Sequence, residues 1–118
     1  MTNLEHAGKL AVVWVTGDPD AARNMVLMYA RNAQTHGWWP EVHLVAWGPS
    51  AELIATNGEI ADECRAAAAE GVTLLACKSC ADRIGVTEQL ERIGFDVKYM
   101  GEPLTEMLKS PDWQVLSI

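Results

Sequence analysis

The sequence lacks any long hydrophobic run. Its longest uninterrupted apolar stretches are about six residues, whereas a membrane-spanning helix needs roughly 18 or more. The amino terminus, MTNLEHAGKL, also lacks the basic stretch followed by an apolar run that is typical of a secretory signal. We therefore expect a cytoplasmic protein with no membrane partner.

Basic residues are also scarce. The 118 residues include 9 lysines and arginines against 16 aspartates and glutamates, which gives a formal net charge of -7. Proteins that wrap nucleic acid or lie on anionic membranes need a basic face, so no nucleic-acid partner is expected. The acidic residues are scattered along the chain, a pattern that favours a solvated surface.

Cysteine and histidine are too few to suggest a metal or a disulfide framework. There are 3 cysteines and 3 histidines, and a zinc site needs four ligands, which Cys77, Cys80 and the distant Cys64 do not supply. Three is an odd count, and the thiols of a cytoplasmic protein are kept reduced unless they cycle. No G-x-G-x-x-G or Walker pattern occurs either, so we predict no metal and no cofactor.

Strand-like and helix-like segments alternate along the chain. Short apolar runs rich in β-branched residues predict strands, and stretches with capping signals or helical periodicity predict helices between them. The predicted strands cover residues 9–16, 41–48, 72–77, 96–100 and 113–118, and the predicted helices cover residues 18–36, 49–56, 59–70, 79–93 and 103–109. We expect residues 1–118 to form one α/β domain with a flexible lead over residues 1–8. Its fold is predicted as a flavodoxin-like, three-layer α/β/α sandwich around a mainly parallel sheet of about five strands.

One predicted helix is apolar nearly all round. It contains MVLMYA, residues 25–30, and the aromatic pair Trp38–Trp39 follows its end. A helix that is apolar on every side favours a second covering surface, and another copy of the chain would supply one. The alternative is that flexible methionines fill an irregular core. We expect a homo-oligomer.

Ligands and reactive groups of open α/β sheets collect at the carboxyl ends of the strands. In this sequence a ligand cleft is predicted there, and its candidate residues are Thr16, Gly17, Asp18, Trp47, Gly48, Pro49, Met100 and Gly101. A response-regulator receiver needs an aspartate at the end of strand three, where this chain has Cys77. A flavodoxin phosphate loop is not favoured either, because the carboxylates of TGDPDAA would repel a phosphate.

The candidate catalytic residues are Cys77, Cys80 and Lys78. Cys77 ends the third predicted strand and Cys80 follows it by three residues, at the start of a helix. The positive end of the helix dipole, with Lys78 beside it, would favour the thiolate, which is the nucleophile of sulfur chemistry. The competing interpretation is that these cysteines are small core residues, and for Cys64 we prefer it. A sulfur-handling thiol, a redox pair, a structural pair and a zinc site stay open at this point.

Three stretches together resemble the DsrE/DsrF-like family. They are VVWVTGDPDAARNMVLMYARNAQTHG, LVAWGPSAELIA and GVTLLACKSCADRIGV, and the closing VKYMGEPLTEMLK is similar to a subgroup of bacterial members. The resemblance covers nearly the whole chain. It implies a three-layer α/β/α domain, homotrimers or hexamers, and a sulfur relay in which a cysteine accepts sulfane sulfur as a persulfide. By position that cysteine is Cys77, with Cys80 as an additional thiol.

Two functional hypotheses follow from these observations. In the first, the protein is a sulfur carrier or thiol-exchange protein, resembling a sulfurtransferase, and its partners are sulfur donor and acceptor proteins. Cys77 is then the nucleophile and Cys80 a resolving thiol. In the second, it is a small-molecule or partner-binding module without covalent chemistry, with a cleft between TGDPD, WGPS and the Cys77 loop. A Cys77 sulfur open to a cleft would favour the first hypothesis.

Overall fold

The sheet has five strands, all parallel. The computed structural model describes residues 8–118. The strands are β1 (Lys9–Trp14), β2 (Glu41–Ala46), β3 (Thr73–Cys77), β4 (Asp96–Lys98) and β5 (Trp113–Ser117). They lie in the order β4-β3-β2-β1-β5. The predicted α/β fold with a parallel five-stranded sheet is confirmed, although its strand order differs from the 2-1-3-4-5 of flavodoxin.

Six helices connect the strands. The first, α1, spans residues 19–35, and its middle part, Ala22–Leu27, is a π-helix. The others are α2 (Pro49–Thr56), α3 (Gly58–Ala69), α4 (Lys78–Ile84), α5 (Thr87–Ile93) and α6 (Gly101–Lys109). Within residues 8–118, none of these helices has the length and apolar character that crossing a membrane requires.

The predicted single helix over residues 79–93 is wrong, because the segment forms α4 and α5. Gly85 adopts a left-handed conformation, with φ 85°. The amides of Gly85 and Val86 both donate to the carbonyl of Ala81, at 2.9 Å each. The bond from Val86 to Ala81, together with a second bond from the Gly85 amide to the Asp82 carbonyl at 3.2 Å, forms the Schellman arrangement that ends helices at a glycine. The predicted flexible lead over residues 1–8 lies outside the described residues except for Gly8, whose amide donates to the Asp112 carbonyl at 3.1 Å.

The two faces of the sheet are covered unequally. Side chains alternate along β1, so Leu10, Val12 and Trp14 pack into a large core that receives side chains from α1 through α5. Ala11 faces the other way, into a smaller core whose helix contribution includes Met107 of α6. The larger core stabilises the fold, and the smaller one lies beside the cysteines.

The chain path creates a crevice between the ends of β3 and β4. The connection that leaves β3, α4 and α5, packs on the large-core face, whereas α6 leaves β4 and packs on the opposite face. Neighbouring strands whose connections diverge in this way form a switch point, and ligand sites of open α/β sheets lie outside the carboxyl ends of strands at such points. Cys77 is the last residue of β3.

Candidate functional site

Cys77 lies at the junction between β3 and α4. It ends the strand and is also the N-cap residue of the helix, with extended backbone angles of φ -70° and ψ 113°. Its sulfur therefore takes the place where an N-cap oxygen usually accepts from the first turn. Cys77 and Cys80 are both free thiols and both belong to the smaller core, together with Met100 and Met107.

Both thiols line a cleft of about 480 Å³. The cleft opens at the carboxyl ends of the strands, between residues that follow β3 and residues that follow β4. Its lining comprises Trp47, Cys77, Ser79, Cys80, Arg83, Tyr99, Met100, Gly101 and Glu102. Cys77 and Cys80 are each only 5% exposed. The two cysteines are therefore almost wholly buried in the wall of the cleft, and a small molecule must enter the cleft to reach them.

Burial sets the acidity of Cys77. The pKa of this thiol is raised, chiefly because burial penalises the thiolate, and the neighbouring Cys80 thiol adds to the increase. No amide makes a full capping hydrogen bond to the sulfur. The amides of Cys80 and Ser79 lower the pKa, by less than burial raises it. The amides at the helix start lower the pKa of Cys77 and burial raises it, with a net shift upward, and a thiolate favoured by the helix start stays a prediction.

The charge of Lys78 is paired with Asp82. Its ammonium lies 3.0 Å from a carboxylate oxygen of Asp82, one turn further along α4, and 5.8 Å from the centre of the Tyr99 ring. The hydrogen bond to Asp82 raises the pKa of Lys78, which keeps the side chain charged. Lys78 does not line the cleft, and its predicted support of the thiolate stays a prediction.

The structure divides the residues predicted to share one ligand cleft. Trp47, Met100 and Gly101 lie in the cleft with the cysteines. Gly17 and Pro49 instead line a separate depression of about 310 Å³.

The remaining three predicted cleft residues have local structural roles. The Thr16 hydroxyl accepts from the Asp18 amide at 3.1 Å, and the Asp18 carboxylate caps α1 by accepting from the Ala21 amide at 2.8 Å. Gly48 is the N-cap residue of α2, with φ 72° and ψ -131°. These residues therefore shape the starts of α1 and α2.

Ser79 and Glu102 of the lining follow predicted strands, where ligand sites were expected, whereas Arg83 and Tyr99 were missed by the sequence reasoning. Arg83 lies on α4 three residues after Cys80, so the two side chains share a helix face. This spacing could have identified Arg83 as a cleft residue from the sequence. Tyr99 was placed inside the predicted strand 96–100. The observed strand ends at Lys98, which leaves Tyr99 at the cleft.

The other candidate ligands lie apart from the cleft. Cys64 is fully buried in the large core, and burial raises its pKa to about 12. The His36 ring nitrogen Nδ1 lies 3.0 Å from the Asn32 carbonyl, and Nε2 of His43 lies 3.2 Å from Glu41, while His6 is outside the described residues. Across residues 8–118, no three histidine, cysteine, aspartate or glutamate side chains gather in a way that could hold a metal ion.

The fold and the cleft define a class: small parallel α/β domains with a cysteine at the carboxyl end of the third strand, in a crevice at a switch point. The family model described as the DsrE/DsrF-like family matches residues 9–115. The chain belongs to this family. The resemblance found in the sequence is thereby confirmed.

Two solved structures are similar to this chain. One is a conserved protein of unknown function, BT1422, from Bacteroides thetaiotaomicron, which is 37% identical, has a TM-score of 0.90 and aligns over 94% of this chain and 95% of its own. The other is the ychN protein from E. coli, at 15% identity and a TM-score of 0.70, aligned over 95% of this chain and 99% of its own. The second likeness shows the fold alone. Among curated proteins, no match was found.

Proposed function

We propose that this protein is a sulfur carrier or thiol-exchange protein in which Cys77 accepts sulfane sulfur. The observation that carries the proposal is that two cysteines, three residues apart at the start of α4, line one cleft. The family resemblance supports the same assignment, because the relay cysteine it implies falls on Cys77.

The proposed step moves one sulfur atom. The Cys77 sulfur attacks the outer sulfur of a donor persulfide, R–S–SH, so that a new S–S bond forms on Cys77 while the donor's S–S bond breaks. The Cys77 proton passes to the departing thiolate, and the products are the Cys77 persulfide and R–SH. An S–S bond is about 2 Å long, so the added sulfur needs a small space beside Cys77, and the cleft of about 480 Å³ that Cys77 lines is large enough to hold it.

Cys80 offers the persulfide a second fate. Its sulfur could attack the inner sulfur of the Cys77 persulfide, forming a Cys77–Cys80 disulfide and releasing hydrogen sulfide. In that step the two cysteines are oxidised and the sulfane sulfur is reduced. A dithiol reductant would then have to restore the two thiols. Sulfur delivery to an acceptor thiol, without this step, leaves both cysteines reduced.

Variants of the two cysteines test the roles. After incubation with a persulfide donor, we expect Cys80→Ser to accumulate a stable persulfide on Cys77, and Cys77→Ser to take up no sulfur. Cys64→Ala, which changes a buried thiol outside the cleft, should load like the unmodified chain. Intact mass and sulfide release are the two readouts. If Cys77→Ser takes up one equivalent of sulfur and Cys80→Ser takes up none, the roles are reversed.

A binding module without covalent chemistry is the second candidate. The observation that favours it is the low exposure of Cys77, 5%, together with its raised pKa. Under this alternative the thiols are wall atoms of a cleft that also presents Trp47 and Tyr99 as apolar surface. It predicts that neither cleft thiol takes up sulfur in the folded protein.

A further inference from the structure

Among the described residues that line the cleft, Arg83 is the one cation. Arg83 is exposed and, among residues 8–118, makes no ion pair with a carboxylate. The other cation near the thiols, Lys78, is held by Asp82. A planar guanidinium with no carboxylate partner beside a reactive centre is suited to binding a carboxylate through two parallel hydrogen bonds.

The other features of the cleft restrict the size and charge of an occupant. Its volume of about 480 Å³ lies within the range of sites that hold small molecules. Glu102, at the start of α6, is the one carboxylate among the described lining residues, and it could pair with an ammonium group. A cleft lined by two cysteines, a guanidinium and a carboxylate therefore matches a small zwitterion that carries sulfur.

We propose, building on the sulfur-transfer function above, that the donor is an amino-acid or small-peptide persulfide whose carboxylate binds Arg83. The Cys77 sulfur attacks the outer sulfur of this donor, and the leaving group is the corresponding amino-acid or peptide thiol. Arg83 acts in binding and orienting the donor. The overall charge of -7 repels anions in general, so a local guanidinium has a large effect on which anions enter.

Two donors with the same reacting atoms separate this recognition from the sulfur transfer itself. Cysteine persulfide carries a carboxylate and an ammonium group, and the persulfide of 2-mercaptoethanol carries neither. The initial rate of sulfur loading on Cys77 is measured against donor concentration for the unmodified protein, Arg83→Gln and Arg92→Gln. Arg92 is an exposed arginine of α5 outside the cleft and serves as the matched control.

We expect the unmodified protein and Arg92→Gln to reach half-maximal loading at about tenfold lower concentration of cysteine persulfide than of the neutral donor, because a hydrogen-bonded charge pair is worth roughly that factor. Arg83→Gln should lose this preference. Equal use of both donors by the unmodified protein, or an equal loss for both donors in Arg83→Gln, would overturn the recognition by Arg83 and leave the sulfur transfer intact. If neither donor loads Cys77 with sulfur, the proposed function is overturned, and this inference with it.

Discussion

Cys77 is a buried residue that lines a cleft. Burial raises the pKa of its thiol, so the resting protein holds mostly the neutral form at neutral pH, and exchange with a donor is slowed. The same burial would protect a persulfide, once formed, from bulk thiols. Within the proposed function, a buried thiol is therefore better suited to storing sulfur than to fast redox catalysis.

The raised pKa leads to a prediction about alkylation. We expect the reaction of Cys77 with iodoacetamide to accelerate as pH rises, with a midpoint above the ordinary thiol pKa, because only the thiolate reacts and burial disfavours it. Cys64, whose pKa is raised to about 12, should react only after denaturation. Mass spectrometry of native protein across the pH range gives both results. A Cys77 midpoint below that of a free cysteine peptide would contradict the account.

Gly48 supports the cleft through its backbone. It directly follows Trp47, whose amide donates to the Ser50 hydroxyl and to the Trp14 carbonyl, both at 3.0 Å. Gly48 has φ 72°, and no atom lies within 4 Å of the position that a Cβ would occupy, so the backbone angle alone requires glycine there. Gly58 also has free space around it, but its φ is not positive and it begins α3.

The two glycines provide a matched pair of substitutions. We expect Gly48→Ala to lower the free energy of unfolding by about 1–3 kcal/mol, because alanine is strained at that backbone angle. Gly58→Ala should leave it unchanged or raise it by about 0.4–1 kcal/mol, since it only restricts the unfolded chain. Urea unfolding of both variants provides the comparison. Equal effects at the two positions would show that the angle of Gly48 does not matter.

At the scale of the element, the six consecutive apolar residues 25–30 of α1 are divided between the core and the surface. Val26 and Leu27 are fully buried against the sheet, whereas Met25 and Met28 are 43% and 52% exposed. The exposed Met25 and the buried Val26 and Leu27 all lie in the π-helical segment Ala22–Leu27. The sequence pattern does not predict a π-helix there. Trp38 is also exposed, stacked on His36 with ring centres 5.1 Å apart. The outer side of α1 therefore exposes Met25 and Met28 among polar residues such as Asn24 and Asn32, with Trp38 beyond the end of the helix.

We propose that this outer side of α1 contacts another copy of the chain. Met28→Glu should then lower the mass measured by light scattering at micromolar concentration, because a charge would be buried in the contact. Leu108→Glu is the control, since Leu108 is exposed on α6. A monomer mass for the unmodified chain would remove the proposal. Dissociation by Leu108→Glu alone would move the contact to the α6 side.

The helix boundaries show what local sequence determines. Asp18 and Pro19 begin α1 where their capping chemistry predicts. Gly85 follows seven helical residues and carries the usual signal for a helix end, but the apolar periodicity on both sides of it predicted one helix over residues 79–93. A Schellman turn interrupts the helix without interrupting the periodicity, because α4 and α5 both contribute to the large core.

At the scale of the whole molecule, strand order decides which predicted site residues meet. The sequence places candidate residues after every strand, but local periodicity carries no information on which strands are neighbours. In the order β4-β3-β2-β1-β5, β1 and β3 are separated by β2, so Thr16 and Asp18 lie away from Cys77. The pairing of β3 with β4 brings Met100 and Gly101 to the thiols. The switch point follows from that order and could not be predicted before it was known.

The measurement that tests the central claim most directly is the location of sulfur on the loaded protein. The folded, reduced chain is incubated with cysteine persulfide, freed of donor and digested, and each cysteine-containing peptide is weighed before and after reduction. We predict that one sulfur atom, removable by a thiol reductant, is found on Cys77 in Cys80→Ser, and that the unmodified chain shows the same persulfide or the Cys77–Cys80 disulfide. Sulfur on Cys80 alone, or no sulfur on either cleft cysteine, would contradict the account.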